Sequence, residues 1–518
     1  MTRRLSLRHV ALGYVAFLCS AIAPVWAATP WAAGQPAVES ALLRLDTAAT
    51  RRQLSALRAS DAELASFYAN HGLFLLALST QDPARIEAYY GASSRYLDRL
   101  AQDSYRRRCF AAEVYFERAL LKGIEQRNFA AYFEVRRCYS LLRELDRTDP
   151  QRPDHQKLLG TFDVMISAVP KSYQWLTRLL GFRGDLQGGE RRLAQAAHQA
   201  SWMRTEAELA VALAERNVLG REEAGLARLD SVRAQANGSP IVDFLLASAL
   251  LEAKRLAAAE AVLVSAAARA PVGPAMPFLE YLRGRLALVK ANWPQAKLNF
   301  ERFLGYPNSV LLRRAATMRI GLCNALLGNP VQAKASMTAV TQLKSSLADE
   351  DAYAIRLARE YLAQPYSEVD LALLRARLAF DGGELRPALQ ALEPLARQPL
   401  ALPQQIEVYY RLGRVHHELG AAARAEGYYR SILPLEAGNR LWMRVYSLYY
   451  LGQIAEAAHE PLRARWYYNQ VLATTGYDYQ SGLETKARAA LARLDAAKTS
   501  KVPAKVTQKT DAGADSAR

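Results

Sequence analysis

The amino-acid sequence predicts an all-α fold, a solenoid of stacked αα-hairpins winding into a right-handed superhelix, with extra helices at the N-terminal end. Three observations carry this. Apolar residues make up 51% of the 518, and much of that share is alanine and leucine, which lose little side-chain entropy in a helix. No stretch alternates as a half-buried strand does, and no glycine- or serine-rich linker breaks the chain. Above all, a spaced trio recurs: a small residue, an alanine twelve positions on, and a large residue four beyond that.

The first element is not part of the fold. "MTRRLSLRHVALGYVAFLCSAIAPVWA" has a basic head (Arg3, Arg4, Arg8), an uncharged apolar run from Val10 to Ala23, then Pro24, with Val25 and Ala27 at the small-residue positions before a cut. This is the layout of a signal peptide over residues 1–27, cleaved after Ala27. The alternative is an uncleaved anchor, because Val10–Ala28 is barely long enough to span a bilayer. Leu18 before Cys19 argues against a lipoprotein, and Ser6 weakens the twin-arginine reading of Arg3–Arg4. The expected compartment is the periplasm or cell envelope. The leader holds only three charges of a net +17, so the basic excess belongs to the folded part. Outside the cytoplasm it points to acidic partners or anionic surfaces rather than nucleic acid. Cys109, Cys138 and Cys323 are no disulfide framework. Cys109 and Cys138 fall on what read as the two helices of one hairpin, so a bridge and two buried thiols are both open.

Residues 28–159 read as an N-terminal helical region, with helical apolar spacing in "DAELASFYANHGLFLLALS", "SYRRRCFAAEVYFERALLKG" and "RNFAAYFEVRRCYSLLREL". Residues 160–239 read as divergent hairpins. Within them "LLGFRGDLQGGERRL" (179–193) is glycine-rich, yet a helix precedes it and no Lys and Ser/Thr pair follows, as a phosphate loop requires. A hairpin corner fits: Gly181 ends one helix, Gly184 turns, Asp185 caps the next and Gly189 lets two helices touch. Gly220 then stands at a turn and Gly225 at the alanine position.

Residues 240–495 hold the array. Its trios are Ala247, Ala259 and Leu263; Gly284, Ala296 and Phe300; Gly321, Ala333 and Met337; Ala376, Ala388 and Leu392; Gly413, Ala425 and Tyr429; Gly452, Ala464 and Tyr468. The first positions are spaced by 37, 37, 55, 37 and 39 residues, and the long gap contains one extra amphipathic helix, "DEDAYAIRLAREYLAQP". Small residues let two antiparallel helices approach, and the large residue fills the groove beside them. Each pair leaves an apolar face that a neighbour must cover. The spacing, with Gly328 and Gly420 at turns, resembles the tetratricopeptide repeat over about residues 240–475, without its usual tryptophan. Residues 496–518 are polar and basic, and read as a disordered tail.

A second resemblance lies upstream. Gly160, Phe162, Pro170, Leu180, Gly181, Phe182, Gly184, Asp185, Gly189 and Leu193 follow the Gly-x-Phe, Pro, Leu-Gly-Phe-x-Gly-Asp pattern of the tetratricopeptide-repeat-protein-39 and inclusion-body-clearance family. The order of elements extends that resemblance over about residues 60–475. It implies an all-helical, non-enzymatic adaptor linked to protein or lipid handling, and it supplies no catalytic residues. The export signal departs from the family's cytoplasmic setting.

No phosphate loop, zinc-protease helix, CxxC pair or nucleophile elbow is present. His416–His417 lacks a third ligand at useful spacing, so neither a metal nor another cofactor is expected. The candidate binding surface is the inner wall of the last two repeats, where positions two, five, six and nine of the first helix face the groove. These are Glu407, Tyr410, Arg411 and Arg414, then Tyr446, Tyr449, Tyr450 and Gln453, with His417 beside them. Tyrosine and arginine suit a peptide groove: rigid area with a polar tip, and bidentate donors for carboxylates. Packing on the next hairpin is the plain alternative. Arg106–Arg107–Arg108 and Arg136–Arg137 form either a basic patch or a solvated face.

The expected function is an exported, non-enzymatic scaffold that binds a protein or peptide partner, acidic or envelope-associated, with a membrane surface as a further contact. Two alternatives stand beside it. One is a binding module for a small or lipid-like ligand, favoured by a continuous apolar inner lining. The other is an assembly factor anchored by an uncleaved N-terminal helix.

Overall fold

The computed structural model describes residues 35–499 except 102, 170–176, 178–180, 237, 307–310, 345, 347, 437 and 478–479. The proposed leader, residues 1–27, and residues 500–518 of the tail lie outside the described residues. Within them the chain forms 24 α-helices and no strand. It divides into two compact units, one reaching Leu371 with Asp381–Glu384, the other comprising Ala372–Phe380 and everything from Leu385.

The recurring trio is the packing device of both units. All six second-position alanines, Ala259, Ala296, Ala333, Ala388, Ala425 and Ala464, are fully buried. The first position must stay small because the large residue sixteen later lies against it. A Cβ on Gly284 would come within 2.6 Å of the Phe300 ring, and on Gly413 or Gly452 within 2.5 Å of Tyr429 or Tyr468. At Gly321 the neighbour is the end of the Met337 side chain, 2.9 Å away. Left-handed backbone at Gly220, Gly328 and Gly420 makes the expected turns. The extra helix of the long gap is Asp349–Ala363.

Residues 178–180 lie outside the described residues, and with them the expectation that Gly181 ends a helix; the corner at 181–193 has the expected chemistry with a different division of labour. Gly181 is left-handed, and Asp185 accepts a hydrogen bond from the Gly188 amide at 2.9 Å, capping Leu186–Gln199. Gly189 meets Gly160 of Gln156–Ser167 backbone to backbone; a Cβ on Gly160 would lie 2.8 Å from the Gly189 carbonyl oxygen. Gly184 is not the turning residue. Its φ is not positive, and it is small because a Cβ would strike the Ser167 amide nitrogen at 2.5 Å.

In the first unit, helix Gln35–Leu43 is stitched to the repeats. Glu39 accepts from the Met203 amide (2.6 Å), the Tyr68 hydroxyl (2.6 Å) and the Thr205 hydroxyl (3.0 Å), and the Ser239 hydroxyl donates to the Leu43 carbonyl (2.6 Å). Cys109, Cys138 and Cys323 are buried free thiols, so Cys109 and Cys138 are not bridged. The sheltered interior around Cys138, formed with Tyr139, Leu142 and Phe162, is apolar and closed. The last helix, Gln480–Thr499, extends beyond Leu494.

Candidate functional site

The second unit gathers the residues predicted for its inner wall, and most are tied to one another. Tyr410 and Tyr449 are 4% and 8% exposed and belong to the core. Arg411 hydrogen-bonds Glu407 at 2.8 Å, and Arg440 lies 3.7 Å from the same carboxylate. Burial alone would raise the Glu407 pKa; Arg411 and Arg440 outweigh it and hold the carboxyl low. Arg414 pairs with Glu418 at 3.1 Å, and its guanidinium lies 4.5 Å from the Tyr450 ring centre and 5.0 Å from that of Phe380. Tyr450 stacks on Tyr429 at 5.5 Å and meets His417 edge-on at 5.6 Å. Gln453 donates to the Tyr449 hydroxyl at 3.3 Å. The other predicted residues, Glu407, Arg411, Arg414, His417, Tyr446, Tyr450 and Gln453, are half-buried. His416 is buried against Tyr428, with the rings stacked at 5.6 Å.

The first unit holds a cavity of about 750 Å³ that the sequence did not announce. Its walls are the N-terminal helices on one side and the first helices of successive hairpins on the other. From Ala62–Thr80 come Phe74, Leu75 and Leu78, and from Tyr105–Ile124 come Phe116 and Leu120. The repeat side is regular. Counted from Ala247 and Gly284, the inner-wall positions are Ile241, Phe244, Leu245 and Ser248, then Phe278, Tyr281, Leu282 and Arg285. All eight line the cavity. The same frame that places Tyr and Arg on the inner wall of the last repeats places chiefly apolar side chains on this one.

One wall carries buried charge. His71 Nδ1 is 2.6 Å from Glu117 Oε1, and Nε2 is 2.7 Å from Glu206 Oε1. Lys157 Nζ lies 3.0 Å from Glu113 and 3.6 Å from Glu206. The Tyr89 hydroxyl donates to the free oxygen of Glu117 at 2.7 Å. Burial opposes charge on His71, but Glu206 and Glu117 win and push its pKa up to about 10. Burial likewise works against an ionised Glu206, and His71 with Lys157 overcomes it, holding that carboxyl low. At Glu113 burial wins over Lys157 and the pKa is raised. Across the cavity Glu350 accepts from the Tyr281 hydroxyl at 3.0 Å and lies 3.8 Å from Arg285. These groups satisfy each other and fix the polar ends of an apolar chamber. Among the described residues no group of three or more His, Cys, Asp and Glu could hold a metal ion.

No family model matches the chain, and no curated protein matches it. Solved structures do. The chain is similar to a human IFIT1 dimer with PPP-AAAA at 14% identity and TM-score 0.28, over 90% of this chain and 99% of that one. It is also similar to the APC/C hetero-tetramer Cut9–Hcn1 at 14% identity and TM-score 0.28, over 88% and 95%. At such scores the fold rests on the helices themselves: an all-α array of αα-hairpins.

The cavity was hidden for two reasons. The inner-wall positions of the earlier repeats are chiefly Ile, Phe and Leu, which look like core in sequence. The ionic wall joins residues 46 and 135 positions apart, a separation with no sequence signature. Arg106, Arg107 and Arg108 form no free basic patch. They pair with Asp61, Glu63 and Glu144 respectively.

Proposed function

We propose that this chain is an exported, non-catalytic helical-repeat binding protein whose first unit encloses a ligand with a long apolar portion, of the acyl-chain class. The continuous apolar lining contributed by Leu75, Leu78, Phe116, Leu120, Phe244, Leu245 and Phe278 carries this reading. A volume of about 750 Å³ falls in the usual range for small-ligand sites, about 300–1,000 Å³. Each buried methylene contributes about 0.8 kcal/mol, so a chain filling the chamber gains affinity without needing any polar contact. The basic, apolar, small-residue pattern of residues 1–27 supports placement in the periplasm or envelope.

Native mass spectrometry of the gently purified protein tests it. The expected result is an added mass that organic extraction identifies as an amphiphile. Ser248→Trp, whose larger side chain would obstruct the chamber, should lose that mass while keeping the wild-type melting temperature. An empty wild-type protein that also binds no added fatty acid overturns the reading.

A protein or peptide partner on the second unit is the second reading, favoured by the half-exposed rings of Tyr446 and Tyr450 beside Arg414 and His417. It falls if Tyr446→Ala/Tyr450→Ala leaves the partners cross-linked in cells unchanged.

A further inference from the structure

Helix Asn128–Thr148 has two working faces. One contributes Asn128, Ala131, Tyr132 and Val135 to the cavity wall. The other holds Phe129 and Phe133 out in solvent, 76% and 56% exposed. Both are large apolar side chains held in solvent, and they lie one turn apart, so they form one patch.

The remainder of that outer face is basic. Arg136, Arg137, Arg143 and Arg147 are all exposed. The helix has three acidic residues, and each is already paired: Glu134 with Arg118 and Lys122, Glu144 with Arg108, Asp146 with Arg192. The uncompensated charge is therefore positive. Phenylalanine at one end with arginine along the following turns of the same face gives a surface that an anionic membrane interface can match. The rings enter the acyl boundary there and the guanidinium groups meet anionic headgroups. Among the described residues no helix is long and apolar enough to cross a membrane, so the contact is to a surface.

We infer that the outer face of Asn128–Thr148 docks the first unit onto an anionic lipid surface. The occupant is chosen by charge complementarity: Arg143 lies 3.8 Å from Asp146, but a wholly apolar partner would leave Arg136, Arg137 and Arg147 without a carboxylate among the described residues. Docking there places one wall of the chamber against the source of an acyl ligand. The inference stands on exposed side chains and does not require that the chamber be filled.

Flotation of the purified protein with vesicles tests it, using phosphatidylcholine alone and equal parts phosphatidylcholine and phosphatidylglycerol. Binding is expected to the mixed vesicles only, and to weaken in high salt. Phe129→Ser/Phe133→Ser and Arg136→Glu/Arg137→Glu should each reduce it about tenfold or more, with melting temperatures unchanged because all four side chains are exposed. Equal binding to both vesicles, no binding to either, or full retention by both variants overturns the inference. So does a change from dimer to monomer in the phenylalanine variant, which would make the patch a contact between copies. The ligand-mass experiment on Ser248→Trp is independent of every one of these outcomes.

Discussion

His71 shows how much a single residue can be decided by distant ones. A lone histidine in an alanine- and leucine-rich helix reads as ordinary core, and the sequence gives no reason to pair it. In the fold it is buried between two carboxylates, Glu117 and Glu206, and held protonated. Its folded pKa of about 10 lies above the ordinary value of 6.5. The stability it contributes is therefore complete below about pH 6.5 and fades as pH climbs through about 10. His71→Ala leaves two buried carboxylates facing each other and should cost about 3–5 kcal/mol near pH 6. Thermal melts of both proteins across this range check it: the gap should narrow toward pH 10. A gap constant over the range would show that His71 is not held charged.

At the scale of the element, the spacing of small, alanine and large residues was legible along the chain because it is a local rule. Two helices joined by a short turn can meet only where side chains permit, so sequence distance maps directly onto contact. The structure adds which clashes are rigid. Alanine in place of a helical glycine gains about 1 kcal/mol of propensity, while overpacking costs about 1–3 kcal/mol. At Gly413 and Gly452 the obstacle is the side of a buried tyrosine ring, and at Gly321 it is the tip of a methionine. Gly413→Ala and Gly452→Ala should each destabilise by about 1–2 kcal/mol, and Gly321→Ala should be near neutral because a flexible thioether can swing aside. Urea unfolding of the three variants checks the order. An equal loss at all three would mean that the rings yield as easily as the methionine. Gly184 marks the edge of the rule: the sequence reads it as a turn, and the need for a small residue there comes from the Ser167 amide of the preceding helix, which no local spacing announces.

For the whole molecule, the same inner-wall frame produces two surfaces of different character. Its residues in the last repeats are Tyr, Arg and Glu, largely satisfied by one another. Its residues in the earlier repeats are chiefly Ile, Phe and Leu, facing a chamber whose other wall is the N-terminal helices. In sequence those helices read only as an N-terminal helical region; in the first unit they are a wall, held there by Glu39, Tyr68 and Ser239. The sequence by itself determined the helices, their pairing into hairpins and the corners between them, because helix propensity, capping and close approach act over fewer than about forty residues. Only the tertiary structure decided that apolar inner positions enclose a space instead of filling it, and that His71, Glu117, Glu206 and Lys157 share one wall. Those outcomes depend on groups far apart in the chain, and no local spacing encodes which of them meet.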